Sequence, residues 1–241
     1  MKILLSILIF YSTHLTAQIR IDFESGIVFT GYNHVRIPGN TGTFISLNSA
    51  LSQNLSGFYR ARTSLTFFEK HSVSILAAPL QLEYNGIVPY DLKFEDTEFF
   101  AGENLNVLYR FDSYRLTYRY NFIRKERFFA GAGITAKVRD ASIAFSSDDK
   151  KAVSSDLGVV PLINFYGAWM PVENISLTID GDALASPQGR ALDVAFFYNQ
   201  KIYKHVWIKA GYRFLEGGAD NKSVYTFSFF HYAAFGLWIS Y

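Results

Sequence analysis

The sequence predicts an all-β chain: one closed, antiparallel, up-and-down transmembrane β-barrel of about ten strands, with eight or twelve as alternatives. Three observations carry this. Apolar and polar residues alternate with period two through most of the 241 residues. After the first few residues no apolar run reaches the length of a membrane-spanning helix. The last strand runs from Ser223 to Tyr241 and ends on an aromatic, with Tyr241, Ile239, Leu237, Phe235 and Ala233 on one face. Ser240, Trp238, Gly236 and Ala234 make up the other face, small groups with one indole.

The chain opens as an export signal would. Lys2 supplies a positive start, Ile3 to Tyr11 an apolar stretch, and Leu15-Thr16-Ala17 a cleavage region, so residues 1–17 are read as a signal peptide and 18–241 as one barrel domain. There is no Cys, which excludes a lipoprotein anchor, disulfides and thiol chemistry. A barrel closed by its own hydrogen-bond ladder needs no such staples. Aromatic residues form 17% of the chain while Pro numbers only 6, a profile that favours strands. A net charge of +2 is too small to point to nucleic acid as a partner.

Punctuation between strands alternates in length. Tight turns fall at 69–71, 124–126, 171–174 and 201–205. Longer segments rich in Gly, Asn, Asp and Ser fall at 34–56, 85–104, 146–155, 186–189 and 216–222. Membrane barrels have short periplasmic turns and longer outer loops, so both termini belong to the short-turn side and the strand number is even. The expected strands are Ile19–Asn33, Gly57–Phe68, Ser72–Tyr84, Leu105–Phe122, Phe128–Phe145, Val159–Met170, Ile175–Leu184, Ala191–Gln200, Val206–Leu215 and Ser223–Tyr241. The segment 85–104 is expected to hold a short outer hairpin around Leu92-Lys93-Phe94, or else to raise the count to twelve.

Alternation gives each strand two faces but does not by itself orient the wall. Tyr114, Leu116, Tyr118, Tyr120 and Phe122 oppose Arg115, Thr117, Arg119 and Asn121. Val206, Ile208, Ala210, Tyr212 and Phe214 oppose Trp207, Lys209, Gly211 and Arg213. A soluble lipid-binding barrel shares this period with an apolar interior. Aromatic strand ends, the apolar face ending on Tyr241, and Gly131 and Gly133 on the polar face of their strand favour lipid outside and polar groups inside. The lumen then holds the cations Arg20, Arg60, Arg62, Arg115, Arg119, Lys137, Arg139, Lys209 and Arg213, against the anions Asp22, Glu24, Asp180, Asp182 and Asp193. Such groups out of bulk water must pair, which predicts a charge lattice that plugs and stiffens the barrel. The cationic excess suggests, as an alternative, a narrow porin-like channel for small anionic solutes.

The C-terminal aromatic strand resembles that of bacterial outer-membrane β-barrels. The segments Val35–Thr43, Ala185–Arg190 and Glu216–Asn221, with the run Asp112–Arg119, look like an uncharacterised group of small barrels of this kind. The resemblance implies a Gram-negative outer membrane, lipid as surroundings, and assembly machinery that reads the last strand. It brings no known activity. Similarity to the omptin proteases extends to strand number only. Omptins use acidic pairs and an Asp–His pair at the outer rim. Here Asp180 with Asp182, Asp148-Asp149 and His231 are the corresponding residue types, but His231 has lipid-facing parity and no surrounding motif matches. His34, His71 and His205 show no metal-ligand spacing, and no Gly-x-Ser-x-Gly occurs. The leading expectation is therefore a non-enzymatic barrel without metal or cofactor. Its outer loops would bind a small ligand or partner, or it would serve envelope integrity. A rim enzyme acting on lipid or peptide is the second alternative.

Overall fold

A computed structural model describes residues 17–187 and 189–241. The expected signal peptide, apart from Ala17, lies outside the described residues. In chain order the elements are β1 (Gln18–Arg36), β2 (Ile45–Ser46), α1 (Leu47–Ala50), β3 (Ser52–Gln53), β4 (Ser56–Phe67), β5 (His71–Ala78), β6 (Gln81–Ile87), β7 (Leu92–Phe94), β8 (Thr97–Phe99), β9 (Asn104–Arg124), β10 (Phe128–Ser146), β11 (Lys151–Val172), β12 (Ile175–Ser186), β13 (Gly189–Tyr203), β14 (Val206–Asp220) and β15 (Tyr225–Ser240).

Period-two segments joined by tight turns pair with their sequence neighbours, and every such pair is antiparallel. The last strand then finds the first. β15 pairs with β1 from Arg20↔Ser240 to Arg36↔Tyr225, which closes a barrel of ten staves. Closure gives each stave a neighbour on either side through the belt, with β11 and β12 parting only above Ile163↔Ala183. The stave expected at Ser72–Tyr84 is broken at Pro79-Leu80 into β5 and β6, both paired to β9. Proline lacks the N–H a ladder needs.

Exposure settles which face looks out. On β9 Leu116 is 55% exposed, while Arg115 beside it is 4% exposed. Ile21, Phe23, Ile75, Ile134, Ile163, Phe196, Ile208 and Phe235 are likewise exposed, each on the outward parity of its stave. Aromatic residues gather near the short turns, where Phe128 stacks on Trp169 with ring centroids 6.4 Å apart. A second outward group lies toward the long loops, with Tyr32, His34, Phe44 and Phe229 in mutual ring contact. An apolar belt between two aromatic girdles is the surface that a hydrocarbon layer requires.

The long-loop end departs from expectation in two ways. The loops expected at 146–155 and 216–222 are mostly strand: β11 begins at Lys151 and β14 runs to Asp220. The periodicity fades there because Ser155 interrupts the outward face of β11 between Val153 and Leu157, and Gly217 and Gly218 give β14 no side chain to alternate. Segment 37–55 contributes β2, α1 and β3, and segment 88–103 contains the expected hairpin as β7–β8. These pieces pack into the upper barrel. Ile45, Leu47, Leu82, Leu92, Phe94, Phe99, Leu105 and Phe145 form an apolar core at no more than 1% exposure. Phe94 meets Phe145 at a centroid distance of 4.4 Å. A β-bulge between Thr30 and Tyr32 turns Asn33 and Val35 inward to join this core.

One glycine shows how tightly the wall is drawn. A Cβ on Gly133 would lie 1.9 Å from the backbone oxygen of Tyr118 on β9. Gly133→Ala is expected to destabilise the barrel by at least the ~1–3 kcal/mol typical of overpacking. Denaturant unfolding in lipid, followed by heat-modifiable migration on a gel, measures it. At the rim, Lys150 Nζ donates to Glu103 at 2.7 Å and to the Glu98 carbonyl at 2.9 Å. The Lys150 hydrogen bond, helped by the Phe100 N–H, lowers the Glu103 carboxyl to about 2. A depressed carboxyl adds stability that is complete above its unfolded value and is lost as pH falls through the folded one. Protection of the amides at residues 97–103, taken relative to their intrinsic exchange rates at each pH, should therefore fall between about pH 4.5 and 2, and an Lys150→Met variant should show low protection throughout that range.

Candidate functional site: the lumen and its vestibule

The inward residues of the staves meet because the barrel is narrow. Asp193 on β13 accepts from three arginines on three other staves: Arg60 at 3.1 Å, Arg115 at 2.5 Å and Arg213 at 2.5 Å. Between β9, which carries Arg115, and β13 lie β10, β11 and β12. A contact over that arc passes through the lumen and not along the wall. Arg115 also donates to Asp182 at 2.7 Å, and Thr135 and Asn164 saturate the other Asp182 oxygen at 2.7 and 2.9 Å. Arg62 on β4 pairs with Asp180 on β12, on the opposite wall: β1, β15, β14 and β13 intervene on one side and β5, β9, β10 and β11 on the other.

A second knot lies beside the first. Glu24 accepts from Arg213 Nε at 2.7 Å, from Arg213 Nη2 at 3.1 Å and from Lys209 at 3.1 Å, with Arg60 3.9 Å away. Lys209 reaches Asp22 at 2.5 Å, and Arg20 reaches it at 2.9 Å. Arg115, Asp182, Asp193, Glu24, Arg60, Lys209 and Arg213 are all buried. Every one of the fourteen residues expected in the lumen by parity has inward position, and thirteen of them belong to ion pairs. Lys137 is the exception.

Three features were not read from the sequence. Aromatic rings line the lumen among the charges. Arg20 lies over Trp238 at 4.0 Å, Arg119 over Tyr166 at 4.2 Å, Lys209 over Phe197 at 4.4 Å and Lys137 over Phe111 at 4.7 Å. Phe111, Tyr166 and Phe197 share the parity of charged or amide residues on their strands, and Trp238 shares that of the small groups of β15, so period two would have found them. Arg139 pairs with Asp156, a carboxylate that falls between the expected loop 146–155 and the expected strand Val159–Met170 and is located on β11. Above the knots the lumen also widens into a vestibule.

That vestibule has a volume of about 1110 Å³. Arg115, Lys137, Asp182 and Asp193 form its floor, and Phe111, Ile143, Leu162, Leu184 and Leu215 are among its walls. Its mouth gathers residues from the three loop segments singled out in the sequence: Ile37 and Pro38, then Ser186, Gly189 and Arg190, then Gly217, Gly218 and Asn221. Just outside, Arg190 Nε donates to both Glu216 oxygens at 2.8 and 3.0 Å, and Tyr32 donates to Glu216 at 2.6 Å.

The residue types of a rim enzyme are dispersed. Asp180 and Asp182 are held by arginines, with no shared-proton geometry between them. His231 faces outward on β15 and shares a hydrogen bond of 2.5 Å with Tyr212. His71 bonds the Tyr118 hydroxyl at 2.9 Å near a tight turn, and His205 stacks on Tyr241 at 4.9 Å. Among the described residues no cluster of His and carboxylates suits a metal ion.

No family model matches the chain, and no curated protein is similar to it in sequence. Solved structures are similar in fold. The outer membrane protease OmpT of Escherichia coli aligns over 93% of this chain and 97% of its own, at a TM-score of 0.59 and 10% identity. Ail, the attachment invasion locus protein of Yersinia pestis, aligns over 92% and 99%, at a TM-score of 0.42 and 9% identity. OprG of Pseudomonas aeruginosa aligns over 93% and 95%, at a TM-score of 0.32 and 10% identity. The chain has the fold of an outer-membrane β-barrel. The likeness to OmpT carries the architecture and, at 10% identity, no residue's role.

Removing one member of a buried ion network strands its partners. Arg115→Met leaves Asp182 and Asp193 short of a donor and should cost about 3–5 kcal/mol in reversible unfolding from lipid. Arg190→Met, at an exposed pair outside the wall, should cost less than about 1 kcal/mol.

Proposed function

We propose that this chain is an integral outer-membrane protein of a Gram-negative bacterium, non-enzymatic and closed to ion flow, that takes up a small ligand from the outer side into its vestibule. The observation that carries the reading is the pairing of one structure with another: ion pairs joining opposite walls, directly beneath an open cavity of about 1110 Å³. Pairs spanning the bore close the path below, while the cavity stays accessible through its loop-built mouth. Ligand pockets of small molecules typically occupy about 300–1,000 Å³; this vestibule is slightly larger, and its apolar walls are interrupted by charged residues.

The remaining expectations fit the same frame. Short turns would face the periplasm and the long loops the cell exterior. The apolar belt would meet lipid. The strand Tyr225–Ser240, followed by Tyr241, would present its outward Phe235, Leu237 and Ile239 to the assembly machinery before closing on β1. A rim enzyme gains no support from the dispersed His and carboxylates described above. The channel alternative rests on the cationic excess alone.

Planar-bilayer recording separates binding barrel from channel. The wild-type protein should insert silently. The triple variant Arg60→Ala, Arg115→Ala, Arg213→Ala removes the donors around Asp193 and should show discrete conductance steps. Anion-biased steps from the wild-type barrel would overturn the closed-lumen reading in favour of the channel.

A further inference from the structure

Lys137 is the one cation of the lumen that has no carboxylate at ion-pair distance among the described residues. Its side chain enters from β10 and is 5% exposed, yet Lys137 lines the vestibule. The Phe111 ring lies 4.7 Å from its ammonium. The nearby acids are already engaged. Both Asp193 oxygens accept from arginines, and both Asp182 oxygens accept from Arg115, Thr135 and Asn164. A buried ammonium next to a cavity, short of an acceptor, calls for an anion.

Part of the wall around it calls for hydrocarbon. Phe111, Ile143, Val160, Leu162, Leu184 and Leu215 line the same cavity as Lys137, Phe111 and Ile143 higher on their staves, Val160 opposite it, and Leu162 one inward position lower. Two of them flank a break in the barrel ladder. β11 and β12 pair from Val172↔Ile175 up to Ile163↔Ala183, and no further. Above this point β11 continues to Lys151 against β10 alone, and β12 continues to Ser186 against β13 alone. Pro161, which has no N–H to donate, stands just past the last pair. The height from Val172 to Ile163, at ~3.3 Å per residue and ~40° of tilt, is roughly 23 Å, against an apolar belt of about 25 Å. The seam thus starts near the outer edge of the belt. Val159 and Leu157, both 72% exposed, extend the apolar outer face of β11 beyond it.

We infer that the vestibule binds an anionic amphiphile, a single acyl chain bearing a carboxylate or phosphate. The head pairs with Lys137, and the chain lies along Leu162 and Leu184 toward the seam between β11 and β12, through which it passes to and from the outer leaflet. This rests on the reading of the vestibule as a ligand site and names the class of ligand.

The test uses the full mature barrel in nanodiscs, with empty nanodiscs as the blank, titrated calorimetrically with decanoate, decyl phosphate and decanol. Wild-type protein is expected to bind both anions saturably, one per barrel, and decanol weakly. Lys137→Gln should weaken decanoate and decyl phosphate by about tenfold or more, and Lys137→Arg should retain them. Heat-modifiable migration verifies that each variant is folded. Unchanged anion binding in Lys137→Gln, or decanol bound as tightly as decanoate, overturns the proposal. A wild-type barrel that binds neither anion also overturns it, whereas the closed-lumen reading stands or falls separately on the bilayer recording. Lipid released from protein extracted from its own membrane identifies the source. A stoichiometric anionic lipid marks a resident of the leaflet; its absence, with decanoate binding retained, marks a free amphiphile. Because the chain has no Cys, Leu162→Cys with Leu184→Cys can be bridged by a short bis-maleimide. Bridging should slow uptake of decanoate from vesicles, and unchanged uptake would overturn the seam as its route.

Discussion

Asp193 is the point on which the lumen turns. One carboxylate accepts from Arg60, Arg115 and Arg213, which arrive from β4, β9 and β14. A ten-stave barrel is narrow enough for side chains from separate walls to touch. Lipid outside leaves polar residues nowhere to go but inward. The two conditions together force charge into a space with little water. Pairing is then the arrangement that avoids an isolated buried charge, and each pair fixes the distance between two walls. Contacts from Arg60, Arg62 and Arg115 act as struts across the bore. The aromatic faces of Trp238, Tyr166 and Phe197 complete the task for cations that outnumber their carboxylates.

Above the struts the barrel changes character. On one side, residues 37–55 and the β7–β8 hairpin fill the bore with Leu, Phe and Ile, packed as in a soluble protein. A chain of hydroxyl and amide contacts pins this core to the wall: Tyr84 to Thr30 at 2.8 Å, Asn33 to Tyr84 at 3.2 Å, Ser228 to Asn33 at 2.9 Å and Tyr109 to Ser228 at 3.1 Å. On the other side, between β9 and β14, no loop descends among the described residues, and the vestibule is what remains. The asymmetry of the loops therefore shapes the cavity. Long loops follow β1 and β6, whereas the connections of β10 to β11 and of β12 to β13 are short.

Much of this was legible in the sequence, and the reason is the pleat. Period two is local, so Arg115 beside Leu116, or Lys209 beside Ile208, declares a face before any partner is known. Tight turns such as 124–126 then fix which staves adjoin. Partners across the bore are another matter. That Arg62 meets Asp180 depends on tilt and stagger accumulated around the whole circumference, which no local pattern records. The upper ends of β11 and β14 escaped for a different reason: Ser154, Asp156 and Gly217 face water or cavity and need no apolar neighbours. Loop segment 37–55 packs inward through Ile45, Leu47 and Leu51, spaced in a way that neither strand nor helix periodicity predicts.

The boundary between locked bore and open vestibule falls at Lys137, and its position follows from the same stagger. Its neighbours by parity, Thr135 below and Arg139 above, both find acceptors: Thr135 on Asp182, Arg139 on Asp156. Both acceptors come from β11 and β12, the two staves whose ladder stops at Ile163↔Ala183. Below that pair the walls are stitched together and a carboxylate is held within reach. Above it β11 leans on β10 alone and brings Asp156 to Arg139. Lys137 lies between the two regimes, too high for the Asp182 knot and too low for Asp156. A charge left over by the geometry of the wall, beside an open cavity with apolar side chains in its lining, is the kind of vacancy that a ligand of opposite charge fills without any change in the fold.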